Sequence, residues 1–137
     1  MREIKFRAWD SERNIMKRPS VNMMIDTFNG TCYWQFGYDI SLMGKLELMQ
    51  YTGLKDKNGK EIYEGDILSP GYTNDELFVV VFDETKARFA EKRVSKEYPI
   101  HAGFIMDGSF LRSVFSSQRI EIIGNIHEHP ELLNWHC

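Results

Sequence analysis

LMQYTGLKDKNGKEIYEGDIL, residues Leu48 to Leu68, decides the fold, because it sets a turn dipeptide, flanking β-type residues and a glycine-acid step in close succession. Asn58-Gly59 supplies positive φ readily and admits two hairpin turns. A two-residue turn puts Lys57 opposite Lys60 and Asp56 opposite Glu61, like charges face to face, which costs stability. A three-residue loop over Lys57-Asn58-Gly59, opened by Asp56 with Gly59 left-handed, instead pairs Asp56 with Lys60, Lys55 with Glu61 and Leu54 with Ile62. Charge and burial both favour this second register. Each cross-strand pair contributes only about 0.2–1 kcal/mol, so the segment fixes register and leaves stability to the core. Lys55, Lys57 and Lys60 stand at the tip, where a solvated turn accounts for them and a binding finger is the sharper reading. Glu64-Gly65-Asp66 then makes a tight step into Ile67-Leu68, of the kind small β-barrels use to turn a corner.

Working outward, 137 residues suit one domain, or one domain with a smaller attached lobe, and suffice to bury a real core. With 42% hydrophobic and 13% aromatic residues the chain has the composition of a folded protein, and a net charge of −3 argues against a protein that coats nucleic acid. No charged-then-apolar leader stands at the N-terminus and no apolar run nears the roughly 18 residues of a membrane span, so a soluble, cytoplasmic protein without membrane contact is expected. Cys32 and Cys137 fit a reducing compartment as two free thiols.

Ile4, Phe6 and Ala8 alternate with Lys5, Arg7 and Trp9, which predicts a strand, and Asp10 to Asn14 supplies the turn into Ile15 and Met16. Val21 to Phe28 leads to a second turn at Asn29-Gly30, Thr31 to Phe36 has strand composition, and Tyr38 to Met43 suits an edge strand or a helical turn equally. Leu77 to Phe82, LFVVVF, is the strongest strand, and its unbroken apolar character predicts burial on both faces. Ala87, Phe89 and Ala90 read as a return strand, followed by an exposed loop through the charged run Glu91 to Glu97. Phe104 to Met106 and Phe110 to Phe115 flank Asp107-Gly108 as a further hairpin or a bulged strand, and Ile120 to Ile123 give a last strand ended by Gly124. Pro130 then opens a short helix carrying Glu131, Leu132, Leu133 and Trp135.

Three blocks, IKFRAWD at Ile4 to Asp10, the central LMQYTGLKDKNGKEIYEGDIL, and EIIGNIHEHPELL at Glu121 to Leu133, resemble the YopX family, uncharacterised proteins of phages and prophages of Gram-positive bacteria. The resemblance covers most of the chain and is looser between Pro70 and Arg119, apart from the strand around Phe82, so a partner-specific surface is expected there. It implies a mainly β (α+β) fold: a small SH3-like β-barrel element around Tyr51 to Phe89, an attached β-rich N-terminal lobe, and a short C-terminal helix. One domain over residues 1–137 is expected, with sub-lobes 1–47 and 48–137. Tyr51, Gly53, Asp56, Gly59, Tyr63, Gly65, Asp66, Gly124, Asn125 and Pro130 match the family motifs and are read as fold-specifying residues. The resemblance implies self-association and no known reaction. Family members often carry an aromatic residue in place of His127 and Asn in place of His129, which makes those histidines local variation.

Chemistry has little to build on. His127, His129, His136 and Cys137 sit near Glu128 and Glu131, yet their spacing is poor for a metal site and the closing turn disperses them. His101 has no nucleophile motif beside it, and the ten glycines form no phosphate-binding loop. The paired carboxylates Asp75-Glu76 and Asp83-Glu84 read as solvated loops. No catalytic residue, metal or cofactor is therefore expected. The leading expectation is a non-enzymatic phage or prophage accessory protein that docks onto itself as a homo-oligomer, or onto a phage or host protein. The seven methionines, among them Met23, Met24, Met43 and Met49, serve the core or an adaptable contact surface. The alternative is a nucleic-acid-binding barrel, resting on the cations Lys86, Arg88, Lys92, Arg93 and Lys96.

Overall fold

The computed structural model describes residues 3–18, 23–25, 32–36, 39–71, 76–95 and 120–133. The fold is mainly β, with a sheet curled into a half-barrel, and the chain divides into two compact units, Met1–Tyr51 and Thr52–Cys137.

In the first unit, the alternating N-terminal residues form β1 (Phe6–Asp10), which turns back into β2 (Ile15–Lys17) with Asp10 opposite Ile15. β3 (Met23–Ile25) and β4 (Cys32–Phe36) pair with each other, and β5 (Asp39–Lys55) is long enough to serve two neighbours. Its first part pairs β4, with Cys32 opposite Leu46, and Glu47 to Gln50 then pair β1. The order is β2-β1-β5-β4-β3, and every pairing is antiparallel. The segment from Tyr38 to Met43 that suited strand or helix is thus strand from Asp39 on. Ala8 and Leu46 form the buried centre with Leu48 against them, and Met49 is buried too, a core use of that methionine.

In the second unit the end of β5 turns into β6 (Glu61–Tyr63), followed by β7 (Asp66–Ser69), β8 (Glu76–Asp83), β9 (Arg88–Ser95) and β10 (Glu121–Asn125). Four of these form a sheet ordered β10-β7-β8-β9. Successive strand residues point to opposite faces, and both faces of this sheet are covered. Leu68, Phe78 and Val80 pack with Ile62, Ile120, Leu54, Phe89 and Ile122 on one side; Ile67, Leu77, Val79 and Val94 pack with Leu133, Val81, Ile126 and Leu132 on the other. The two-sided burial expected of LFVVVF is what β8 shows, with Leu77 to Val80 at most 6% exposed.

Four expectations change. The charged run after Ala90 is not an exposed loop, since β9 continues to Ser95 in unbroken register with β8 and Glu91 is buried. Pairing with a full-length partner strand outweighs the polar composition. Gly124 does not end the last strand, because β10 passes through it to Asn125 after a bulge at Ile123. The C-terminal helix is a single 3-10 turn at Pro130–Leu133, with Leu132 N–H donating to His129 O at 3.1 Å. The solvated reading of Asp83 also fails, because it is only 5% exposed. The turn at Asn29-Gly30, the hairpin at Phe104 to Phe115, Asp75, His101, Trp135, His136 and Cys137 lie outside the described residues.

The central hairpin has the three-residue loop. Asp56 N–H donates to Lys60 O at 2.8 Å, Gly59 N–H donates to Asp56 O at 3.0 Å, and Gly59 sits at φ 80°. A Cβ on Gly59 would meet nothing within 4 Å, so substitution there costs left-handed backbone strain alone. Gly59→Val should destabilise the protein by about 1–2 kcal/mol, and Gly59→Asn by less, since Asn tolerates this conformation. Denaturant midpoints of the two variants check the turn; equal stability of Gly59→Val and wild type refutes it.

Candidate functional site

The family-motif residues converge on a clasp between the central hairpin and the closing strand. Asp56, 8% exposed, accepts two main-chain hydrogen bonds from its own loop at Oδ1, from Asn58 and from Lys60, both at 2.9 Å. Its Oδ2 accepts from Ile122 N–H on β10 at 3.1 Å, across 66 positions of sequence. Next to it Lys57 N–H donates to Ile120 O at 2.9 Å, and above that bond Lys57 Nζ lies 3.3 Å from Glu121 Oε2 while Asn58 Nδ2 lies 3.4 Å from Glu121 Oε1. The hairpin tip therefore occupies N–H and C=O groups that β10 would otherwise leave bare. Burial opposes ionisation of Asp56, but the N–H groups of Ile122, Lys60 and Asn58, with the Lys60 charge, outweigh it and hold the carboxyl below the ordinary carboxylate value.

A second knot closes the other end of β10. Asn125 Oδ1 accepts from His127 N–H at 3.1 Å and Glu128 N–H at 2.9 Å, and its Nδ2 donates to Glu128 Oε1 at 3.0 Å. His129 N–H donates back to Asn125 O at 2.9 Å, and Asn125 N–H donates to His129 Nδ1 at 3.3 Å. Gly124 is required by this approach: a Cβ there would stand 2.8 Å from His129 Nδ1, 2.9 Å from its Cγ and 2.9 Å from Leu132 Cδ1. Pro130, the first residue of the 3-10 turn, brings Leu132 and Leu133 onto the sheet.

The remaining motif residues tie these knots together. Asp66, opposite Asn125 in the β7–β10 register, accepts Tyr63 N–H at 2.8 Å and so closes the step at Gly65. Gly65 N–H donates to Val80 O at 2.8 Å and its carbonyl accepts Ile126 N–H at 2.9 Å. Thr52 Oγ1 donates to Ile62 O at 2.8 Å and accepts Leu54 N–H at 3.2 Å, spanning Gly53. Tyr51, in the first unit, donates its N–H to Lys5 O at 2.8 Å and holds Lys5 Nζ 5.6 Å from its ring centre. These groups bond main chain. With both oxygens of Asp56 taken by N–H donors, it is a clamp rather than a base.

Sequence reasoning missed Asp10 and Asp83, which do for their hairpins what Asp56 does for its own. Asp10 Oδ1 accepts Glu12 and Arg13 N–H at 3.1 and 3.2 Å, and Arg13 Nη1 lies 3.0 Å from its Oδ2. Asp83 Oδ1 accepts the Thr85 hydroxyl at 2.6 Å and Thr85 N–H at 3.0 Å. Burial opposes ionisation of Asp10 and is outweighed by Arg13 and Glu12; the Thr85 hydroxyl leads at Asp83 against burial, so both carboxyls also lie low. The signal was available: an Asp closing an apolar strand before a polar turn is the Asx pattern.

The basic run is divided. Register with β8 sets Arg88 and Lys92 on the face of Val79, Val81 and Asp83, and Arg93 on the opposite face with Phe78, ion-paired to Glu76. Arg88 Nε lies 3.9 Å from Asp83 Oδ2, Lys86 is exposed in the turn, and Lys96 is outside the described residues. Phe89 packs against the core and meets Phe82 edge to face, centroids 5.6 Å apart; Phe82 is 44% exposed.

The family model described as YopX protein matches residues 5–134. No curated protein matches the chain. Among solved structures, the crystal structure of protein EF1440 from Enterococcus faecalis is similar, at 26% identity and a TM-score of 0.64, over 98% of this chain and 100% of that one.

Three outcomes follow from the clasp and the second knot. Asp56→Ala should cost about 2 kcal/mol, since three N–H groups lose a charged acceptor, and Asp56→Asn less. A folded-state carboxyl that titrates low contributes stability that is present above the unfolded value, about 3.9, and is lost as pH falls through the folded value. Thermal unfolding should therefore show stability dropping below about pH 4, with a shallower drop in Asp56→Asn; equal slopes would refute the assignment. Gly124→Ala should destabilise by about 1–3 kcal/mol through overpacking, and adding His129→Ala should recover part of the loss in a double-mutant cycle.

Proposed function

This chain belongs to the YopX family, and we propose that it is a non-enzymatic accessory protein of phage or prophage origin that works in the host cytoplasm as a docking module, first of all onto a second copy of itself. Two considerations support the reading. The side-chain oxygens of the motif residues Asp56, Asp66 and Asn125 are committed to main-chain bonding, which suits a scaffold more than a reaction centre. The second unit is read as the small SH3-like element, its hairpin tip lying along β10 as the closing piece.

The observation that carries the docking assignment is the aromatic pair on the β8–β9 hairpin. Phe82 is 44% exposed although it stands in the most apolar strand, and Phe89 fixes its ring edge to face. A large aromatic held rigid at a surface gives contact area at small entropic cost, as interface anchors do. A two-fold symmetric homodimer buries the same patch on each copy.

Light scattering over a concentration series tests this. The wild type should be a dimer or larger, and Phe82→Ser should shift it toward monomer while circular dichroism shows the native fold kept. A monomeric wild type that binds labelled nucleic acid in a salt-sensitive way, lost when Arg88 and Lys92 are both changed to Glu, would overturn docking in favour of nucleic-acid binding.

A further inference from the structure

The hairpin tip carries a dipeptide whose hydrogen-bonding groups serve the clasp and whose covalent reactivity does not. Asn58 and Gly59 are both exposed, and an Asn followed by Gly is the pairing in which the next main-chain nitrogen reaches the side-chain carbonyl carbon with least hindrance, because glycine has no Cβ. Here three hydrogen bonds oppose that approach. Gly59 N–H, on the attacking nitrogen itself, donates to Asp56 O at 3.0 Å. Asn58 and Lys60 N–H both donate to Asp56 Oδ1 at 2.9 Å, which holds the torsions on either side. Ring closure needs Gly59 N to swing onto Asn58 Cγ, so the loop must open locally first.

We propose that Asn58 is a site of spontaneous deamidation through a succinimide, with its rate governed by the Asp56 cap. Gly59 N gives its proton to solvent base and bonds to Asn58 Cγ; the Cγ–Nδ2 bond breaks and the nitrogen leaves as ammonia. Water then opens the ring at one of its two carbonyls, leaving aspartate or isoaspartate at this position. No electrons are exchanged, and water is the sole co-reactant. The product places a carboxylate where Asn58 Nδ2 stood 3.4 Å from Glu121 Oε1, so an attraction becomes a like-charge repulsion. The isoaspartyl form also lengthens the main chain inside a loop whose register is fixed. Both products loosen the tip from β10.

The test incubates the folded full-length chain at mildly alkaline pH and follows, by peptide mapping, the mass gain of amide-to-acid conversion and the isoaspartate content at Asn58. Asn29-Gly30, the other Asn-Gly pair of the sequence, provides an internal ratio for comparing the wild type with the Asp56 variants, and the peptide is incubated in the same buffer at the same temperature. Asn58 in the wild type should convert several-fold more slowly than in a synthetic peptide spanning residues 54–62. Asp56→Ala should bring its rate several-fold toward that of the peptide while circular dichroism stays native. Asp56→Asn, which keeps one acceptor oxygen, should fall between, and decides the matter if Asp56→Ala does not fold. Conversion at the peptide's rate in the wild type, or a rate unchanged by Asp56 substitution, overturns the proposal.

Discussion

The Asp56 carboxylate is the constraint on which the second unit depends. It receives two N–H groups from the loop it opens and one from Ile122, 66 positions on. A bare strand edge exposes main-chain groups that must find partners. Asp56 Oδ2 and Lys57 N–H meet Ile122 N–H on β10 and Ile120 O just before it, so one turn both reverses the chain and seals the edge that the last strand brings. Ionisation is essential to this double role, because a charged acceptor makes the stronger hydrogen bonds and can serve several donors at once. The carboxyl titrates low for the same reason.

The chain uses this device repeatedly. Asp10 ends β1, Asp83 ends β8, Asn125 ends β10, and each turns its side-chain oxygen onto main-chain N–H groups of the loop it opens. A short polar side chain reaches its own backbone two or three residues on with little entropy to lose. Asp66 works in the other direction, reaching back to Tyr63 N–H across the Gly65 step. Low exposure of these residues is thus compatible with their polarity: the acceptors are satisfied locally, and the surrounding strands can bury them without an unpaired group.

How far this could be seen in the sequence depended on whether a residue had one physical role or two. The hairpin register was legible because only one loop length pairs Asp56 with Lys60 instead of like with like, and β8 was legible because six consecutive apolar residues call for two-sided burial, which holds from Leu77 to Val80 and gives way at Phe82. Gly124 was misread as a strand terminator, since a glycine needed for close approach to His129 and Leu132 looks, in sequence, like a glycine needed for a turn. The run from Glu91 to Ser95 was misread as loop because its polarity hides the pairing with Glu76 to Val80. Once that pairing is seen, period-two alternation also separates Arg88 and Lys92 from Arg93, which a linear count of cations cannot do. The knot around Asn125 was legible only as a motif: its partners His127, Glu128 and His129 lie two to four residues on, the same local pattern that was passed over at Asp10 and Asp83.

This division of labour bears on where function can lie. Asp56, Asp66, Gly124 and Asn125 are each bound to main chain or packed against a neighbouring ring, and altering any of them changes shape before it changes a surface. The motif residues of the second unit therefore specify a frame. What the frame holds out is the β8–β9 hairpin, anchored by Leu77 to Val80 on both sheet faces and ending in Phe82 against Phe89. Burial of Val80 two pairs from an exposed Phe82 gives the hairpin a rigid root and an exposed aromatic just before its polar turn, and an aromatic held rigid loses little on being covered by a partner.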